Sequence, residues 1–466
     1  MSLNSRLFSS SAACKLDFVV IGGSVGGLTA AYCLQEAGHN VVVLEKNKQD
    51  VFMMQNENGL RVPPNMTKLL NKIPGIKHLL VQKGTSNPGY HLYQDETFEL
   101  VGKMIYEESI TSDLGKFAFR LPYSYLWNHL YQICKSRNVS FKFNSEVEKV
   151  DLNGGRAKVL CKTGESIEGD ILIGADGHNS IVRNFLLLEN AQMFKEDEDE
   201  DEDDHECSDV NQPEIWTTRR LSIPMGKMKT NPDLQILTQN NWTTLLMGNG
   251  YFAMGGQEGA GRYGVSITYL QPPKENYDLD WTTTKNVLSF EDKRLINDDT
   301  VLGKLIELPD SCHGSTQKAH NLSAYINSTH QIVVIGDAAP ATLMNGAYNA
   351  AIAVEDAFSL GYLFSKIASR NHVSLFLNGY SEIRKTRAKF MRANDMGVLY
   401  GLSLPPGPQR DARNYAYSHT LGEDDLDDET LSQVWAAHID QCNYNAIEAV
   451  DEWWHSWGSL IEKYHG

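Results

Sequence analysis

Runs and alternations of apolar residues divide the chain into stretches of different period. Phe18 to Ile21 and Val41 to Leu44 are short, partly β-branched apolar runs, and each predicts a buried strand. Between them lie a turn, Gly22 to Gly27, and a stretch of helical composition, Leu28 to Ala37, stopped by Gly38. Ile171 to Ile173 and Ile332 to Ile335 predict two more buried strands. Val139 to Phe143 and Val147 to Leu152 read as strands. Arg156 to Cys161 and Glu165 to Glu168 read as a hairpin about Thr163-Gly164.

From residue 216 the pattern changes. Trp216 to Ile223, Leu234 to Thr238, Thr243 to Met247, Tyr251 to Met254 and Tyr263 to Leu270 are β-like runs spaced by Gly, Asn and Pro. Asn249-Gly250 is a strong hairpin signal, so a mainly antiparallel sheet is expected. Pro63 and Pro64 precede a helix start near Asn65, a good N-cap. Phe119 to Cys134 reads as a Pro-initiated amphipathic helix preceded by Arg120. Residues 75–118 give no firm element. Beyond about 370 the pattern is helical, with Tyr380, Arg384 and Arg387 on one face; Trp435, Trp453, Trp454 and Trp457 read as packing anchors.

Composition narrows the classes. A chain of 466 residues can bury a large core and should hold more than one lobe. No apolar run reaches the length of a membrane-spanning helix. The formal charge of −17 is mostly local: Glu196 to Glu206 holds ten acids and Glu423 to Glu429 holds six. Both runs read as solvated loops, and no basic patch supports nucleic-acid binding. The seven cysteines are scattered without a C-x-x-C pair, which argues against a disulfide framework or zinc site and fits a reducing compartment. A cytoplasmic location is expected, with a mitochondrial one as the alternative, since the Ser-rich first 15 residues contain Arg6 and Lys15 but no acid.

Three stretches carry chemistry. The first is the strand–turn–helix–strand unit from Asp17 to Lys46, the dinucleotide fingerprint. Gly22 permits the tight turn and Gly27 the close packing of helix on sheet. Ser24, in the middle position, is small and can donate to a phosphate oxygen. Val25 and Gly26 open the helix, whose free N–H groups and positive dipole end suit a diphosphate. Glu45 is placed to accept from ribose hydroxyls, with Lys46 beside it. The second stretch runs from Asp170 through Gly174, Ala175, Asp176 and Gly177 to Ser180 and Arg183. An acid at a strand end can meet a ribose; the plain alternative is a turn with a structural Asp. The third is Gly336-Asp337-Ala338-Ala339 at the end of a strand, followed by a helix through Glu355-Asp356-Ala357. Asp337 sits where a carboxylate can bind polyol hydroxyls.

Together and in this order, these motifs resemble the single-component FAD-dependent aromatic-ring monooxygenases, in particular the salicylate-hydroxylase-like branch found in fungi. The resemblance spans roughly residues 16 to 400. It implies an α/β fold: a Rossmann-like FAD-binding domain, an antiparallel β-sheet substrate lobe and a helical C-terminal region. The expected division is a flexible N-terminus (1–15), the FAD domain (16–75, 119–190 and 310–370), the substrate lobe (76–118 and 213–309), an acidic disordered loop (191–212) and the helical region (371–466). Gly22, Ser24, Val25, Gly26, Gly27, Glu45 and Lys46 would hold the ADP half of FAD, Asp176 the pyrophosphate side, and Gly336 and Asp337 the ribityl chain. Arg120 resembles the family's arginine that reaches the cofactor.

The loop Ala347-Tyr348-Asn349 stands where the family has G-Q-G against the flavin. Pro340 and Met344 are further departures from its pattern. Tyr348, Asn349, Tyr251 and Met254 are the candidates for lining the substrate pocket. No second Gly-rich fingerprint is present, as in a family that binds NADPH or NADH only transiently. The activity implied is an NAD(P)H-consuming insertion of one atom of O2 into a phenol-like aromatic small molecule through a C4a-hydroperoxyflavin. The outcome is hydroxylation, or a decarboxylative, epoxidising or ring-expanding variant of it. A reductase or oxidase on the same fold and a non-catalytic FAD-binding protein remain alternatives, and a homo-oligomer is compatible with the sequence.

Overall fold

The first parallel strands are buried on both faces, so they must be covered by helices, and that requirement sets the architecture. The computed structural model describes residues 7–50, 59–106, 118–152, 154–196, 215–270, 282–284, 296–309, 312–318, 325–339, 348–422, 436 and 438–458. Asp17–Ile21 and Asn40–Leu44 lie side by side and parallel, with Phe18 opposite Val41 and Ile21 opposite Leu44. Ile171–Gly174 and then Ile332–Val334 extend the sheet on one side, and Ser140–Lys142 closes the other. All five strands run parallel. The expected strand to Phe143 ends at Lys142.

The opening helix, Val25–Ala37, is buried along nearly its whole length because a second helix, Asn349–Ser365, crosses it. Small residues permit the crossing. A Cβ on Gly26 would come within 2.9 Å of the Ala353 methyl, and one on Gly361 within 2.5 Å of Cys33 Cβ. Cys33 is a buried free thiol. Gly38, at φ +107°, ends the helix as expected.

His39 ties three elements together. Its Nδ1 accepts the Leu16 N–H at 3.2 Å, so Nε2 carries the proton and donates to the Phe364 carbonyl at 3.1 Å. Burial holds its pKa down at about 4.

The second layer is an eight-stranded mixed sheet. Its core is the antiparallel run Ile215–Pro224, Arg262–Leu270, Tyr251–Gly259 and Thr243–Met247. Gly250, at φ +81°, makes the turn that Asn249-Gly250 predicts. Residues 75–118, opaque in sequence, contribute a helix, Ile76–Lys83, and two strands that extend this sheet: Gly89–Gln94 pairs parallel with Thr243–Met247, and Glu99–Ile105 pairs antiparallel with Gly89–Gln94.

Several expectations need correction. Leu234 to Thr238 is not a strand: Gln235–Thr238 forms a 3-10 turn, with Leu234 and Leu237 turned into the core. Cys312–Lys318, expected in the nucleotide domain, pairs with Ile215–Pro224 in the large sheet. The helix after Arg120 starts at Tyr123, because Ala118–Pro122 is a strand pairing with Gly59–Val62. Asn65 does not cap its helix, which Pro63 precedes; its amide is buried and donates to Glu355. The helix beginning at Ile181 continues to Glu196, so the acidic segment is not loop throughout. Its remainder, the second acidic run and Trp435 lie outside the described residues. Trp453 is buried, but Trp457 is 59% exposed and anchors no core.

The C-terminal region carries a 30-residue helix, Val373–Leu402. Its Arg384 and Arg387 are buried against Glu355 and Asp356 on the crossing helix. No helix among the described residues is long and apolar enough to cross a membrane.

The pH dependence of stability follows from His39. Its folded pKa of about 4 lies below the ordinary value. The stability it protects is therefore complete above about pH 6.5, falls as the unfolded chain takes up a proton that the fold refuses, and is lost by about pH 4. His39→Gln keeps both hydrogen-bonding roles without titrating. Its urea midpoint should decline less steeply over that range than the wild type's, by up to about 3 kcal/mol; parallel declines would refute the assignment.

Candidate functional site

The carboxyl ends of the parallel strands and one face of the large sheet enclose a cavity of about 960 Å³. Ser24, Val25, Gly26 and Lys46 line it from the first β-α-β unit, Asp176 from the second motif, and Gly336, Asp337 and Asn349 from the third. Met254 and Arg120 reach it from the other side. Three stretches far apart in sequence thus share one cleft.

Behind this wall the glycines act through packing. Gly22 has φ +107°, and a Cβ there would stand 2.3 Å from the Ala175 carbonyl oxygen. A Cβ on Gly27 would stand 2.0 Å from the Gly22 carbonyl oxygen. Gly336 has φ +59° and lies against Ala353. Ser24 is the helix N-cap residue, but its hydroxyl makes no capping bond. The Val25 amide donates to the Tyr123 hydroxyl at 3.1 Å, and Tyr123 also lines the cavity.

Some expected residues do other work. Glu45 is buried. Its Oε2 accepts the Gly23 N–H and its Oε1 the Asn47 N–H, both at 2.8 Å, so it braces the glycine turn. Asp176 accepts the Ile181 N–H at 2.8 Å and the Ser180 hydroxyl, capping the next helix. Arg120 is tied to the large sheet: Nε donates to the Gln257 carbonyl, Nη1 to Thr243 Oγ1 and Nη2 to the Asn241 carbonyl, at 3.0, 2.6 and 2.6 Å. A Cβ on Gly256 would lie 2.1 Å from that guanidinium.

Tyr251 and Tyr348 do not line the cavity. Side chains alternate across a strand, and Tyr251 lies on the opposite face from Met254, with its hydroxyl on Asp95 at 2.5 Å. Tyr348 turns into the protein, its hydroxyl 2.7 Å from His438 Nδ1, and Tyr106 meets the other ring nitrogen at 2.9 Å. Burial pushes the His438 pKa down to about 3. Ala347 lies outside the described residues.

The cavity also collects residues that sequence reasoning missed: Arg61, Arg220, Trp216, Phe252, Glu258 and Asp395. The alternation that carries Met254 also carries Phe252, Gly256 and Glu258 on the same face, so that signal was present. Burial raises the Glu258 pKa to about 7 against the pull of Arg120 and the Gly59 amide. Glu258 Oε2 and Asp395 Oδ2 are both screened from solvent without a hydrogen-bond partner among the described residues.

Asp337 is held by its neighbours while staying on the cavity wall. Asn349 Nδ2 donates to its Oδ1 at 2.8 Å, and Arg183 Nη1 donates to its carbonyl at 3.0 Å. The Gly336 N–H donates to Asp356 Oδ2 at 2.7 Å. Arg384 Nε donates to Asp356 Oδ1 at 2.5 Å, and Arg387 grips Glu355 through Nε and Nη2 at 3.1 and 3.0 Å. Burial alone would raise Glu355, but Arg387 and Arg384 keep its pKa below the usual carboxylate range.

This architecture defines a nucleotide-binding α/β protein with a sheet-walled ligand cavity, and comparison with known proteins specifies the nucleotide. Residues 15–200 match the FAD binding domain. The chain is 24% identical over 459 residues to the FAD-dependent monooxygenase OpS4 of Beauveria bassiana, covering 94% of this chain and 96% of that one. It is 23% identical over 394 residues to the FAD-dependent monooxygenase ntnJ of a Nectria species, covering 82% and 84%. Its fold matches CtdE, solved with FAD and a substrate, at TM-score 0.72 and 16% identity over 96% of this chain and all of that one. A salicylate hydroxylase substrate complex matches at TM-score 0.64 and 14% identity over 94% and 97%. Over most of its length the chain is similar to FAD-dependent monooxygenases, and it shares its fold with a salicylate hydroxylase.

The donor set fits FAD. Helix amides and a Ser24 hydroxyl that makes no capping bond suit a diphosphate, and Asp337 beside Asn349, whose Oδ1 is buried without a partner among the described residues, suits a polyol. Asp337→Ala should weaken FAD retention by about tenfold or more, read by flavin absorbance after desalting, with the circular dichroism of the wild type. Arg384→Met leaves two buried carboxylates short of their cation and should lower stability by about 3–5 kcal/mol in urea titration. Wild-type stability in that variant would mean the cluster holds little.

Proposed function

We propose that this protein is an FAD-dependent monooxygenase that consumes NADPH or NADH and inserts one oxygen atom of O2 into an electron-rich, phenol-like aromatic small molecule. One observation carries the reading: three nucleotide-type motifs and one face of an antiparallel sheet close on the same cavity. A nucleotide cofactor alone would not need the apolar sheet face, and a simple binding pocket would not need the diphosphate cradle.

The residues divide the work. Ser24 and the helix-start amides beyond Val25 bind the diphosphate, with Lys46 adding positive charge. Asp337 and Asn349 hold the polyol chain. Bound FAD supplies the redox chemistry, accepting electrons from the nicotinamide and activating dioxygen. Trp216, Phe252, Val398 and Leu399 wall the far end with apolar surface that orients a flat ring and keeps water away from the reacting atoms. Arg220 adds positive charge where the sheet faces Asp337. The short cofactor-binding unit and the lack of a second Gly-rich fingerprint support a nicotinamide that visits without a domain of its own.

The test is isotopic. The purified protein should be yellow, should oxidise NADPH or NADH in the presence of a phenol panel, and should place one labelled atom from ¹⁸O₂ in the product. Oxidation of substrate without label would reassign it as an oxidase or reductase of the same fold.

A further inference from the structure

Asp395 lies on the helix Val373–Leu402 and reaches the cavity beside Val398 and Leu399. It is 7% exposed, and its Oδ2 has no hydrogen-bond partner among the described residues. An ionised carboxylate can only accept hydrogen bonds, and an acceptor withheld from water without a donor is costly. Opposite it the sheet presents Trp216 and Phe252, flat apolar surfaces suited to an aromatic ring.

We infer that Asp395 receives the hydrogen-bond donor of the substrate, so that the cavity selects a neutral ring bearing O–H or N–H over a ring bearing a carboxylate. The inference rests on the monooxygenase reading and names the substrate chemistry of that same cavity. With an O–H substrate the proton passes to Asp395 Oδ2, leaving a ring oxygen whose electron density activates the ring toward an electrophilic oxygen. A benzoate-type anion would instead place like charge beside the carboxylate.

The charged groups around Asp395 fix the expected pH response. Arg61, from the strand Gly59–Val62, and Arg387, on its own helix, face it, and Arg220 and Glu258 line the same cavity from the sheet. Arg387 is engaged with Glu355, and an Arg61 nitrogen meets the Met254 sulfur. Burial outweighs both cations and raises Asp395 to about 7. The acceptor is therefore ionised above about pH 7 and protonated below it.

The experiment uses the FAD-loaded full chain, 1-naphthol, naphthalene and 1-naphthoate as probes, and the oxidised-flavin spectrum as the binding signal between pH 5.5 and 8.5. Naphthol should bind about tenfold more tightly than naphthalene or naphthoate, and its affinity should rise through about pH 7. Asp395→Asn, isosteric and uncharged, should keep FAD and the wild-type melting temperature while losing the naphthol preference and the pH step. Naphthoate binding as well as naphthol, no response to naphthol, or an unchanged preference and pH step in Asp395→Asn would overturn the inference. Failure of the monooxygenase reading would show separately, as wild-type protein that holds no flavin or oxidises no nicotinamide.

Discussion

Four buried charges hold the nucleotide site to the rest of the molecule. Glu355 and Asp356 sit side by side on the crossing helix, and Arg384 and Arg387 meet them from the long C-terminal helix, all essentially withdrawn from water. Such groups gain little net stability from attraction alone, because desolvation offsets most of the Coulomb energy. Their value lies in direction. Each carboxylate oxygen is committed: Glu355 to Arg384, Arg387 and Asn65, and Asp356 to Arg384 and the Gly336 amide. A shift of the C-terminal helix would strand a charge, so that helix, the crossing helix and the Gly336-Asp337 turn hold one relative position.

That constraint reaches the cavity by two routes. Through Asp356 it fixes the left-handed Gly336 turn and the wall position of Asp337. Through the helix Val373–Leu402 it fixes Asp395, Val398 and Leu399, which close the cavity against the sheet. The Gly26–Ala353 approach adds the third coordinate, holding the start of the opening helix against the crossing helix. The glycine-turn end, the Asp337 wall and the apolar end are therefore set by one packed unit drawn from both halves of the sequence.

Sequence patterns revealed the nucleotide half well because its constraints are local. A parallel strand buried on both faces must be a continuous apolar run, and a turn that a Cβ would block must be glycine; both can be read from neighbouring residues. Glu45 shows the limit of that reading. Its position at the strand end was legible, but its commitment to the Gly23 and Asn47 amides depends on how the turn folds back. The substrate half was less legible because its facts are relational. A one-residue phase error moves a side chain to the other face of a sheet, which separates Tyr251 from Phe252. Asp395 is an ordinary polar residue of an amphipathic helix until the sheet closes over it.

The two ends of the cavity differ in the kind of polar group they present, and the difference assigns a direction to the ligand. At the strand ends the donors are backbone amides and a small hydroxyl, groups that cannot lose charge and therefore suit a permanently anionic diphosphate. At the sheet and C-terminal helix the atoms buried without a partner among the described residues include two carboxylate oxygens, Glu258 Oε2 and Asp395 Oδ2, in surroundings that hold their acids near neutrality, along with the Trp216 indole N–H. Groups poised there can exchange protons with a ligand, which a phosphate cradle does not require. Arg120, although cationic and at the wall, directs its nitrogens to the sheet and gives neither end a free charge. On the proposed reading, a molecule that is anionic at one end and meets a proton-exchanging partner at the other fits the cavity in one orientation, with its nucleotide at the glycine turn and its reacting face toward the sheet.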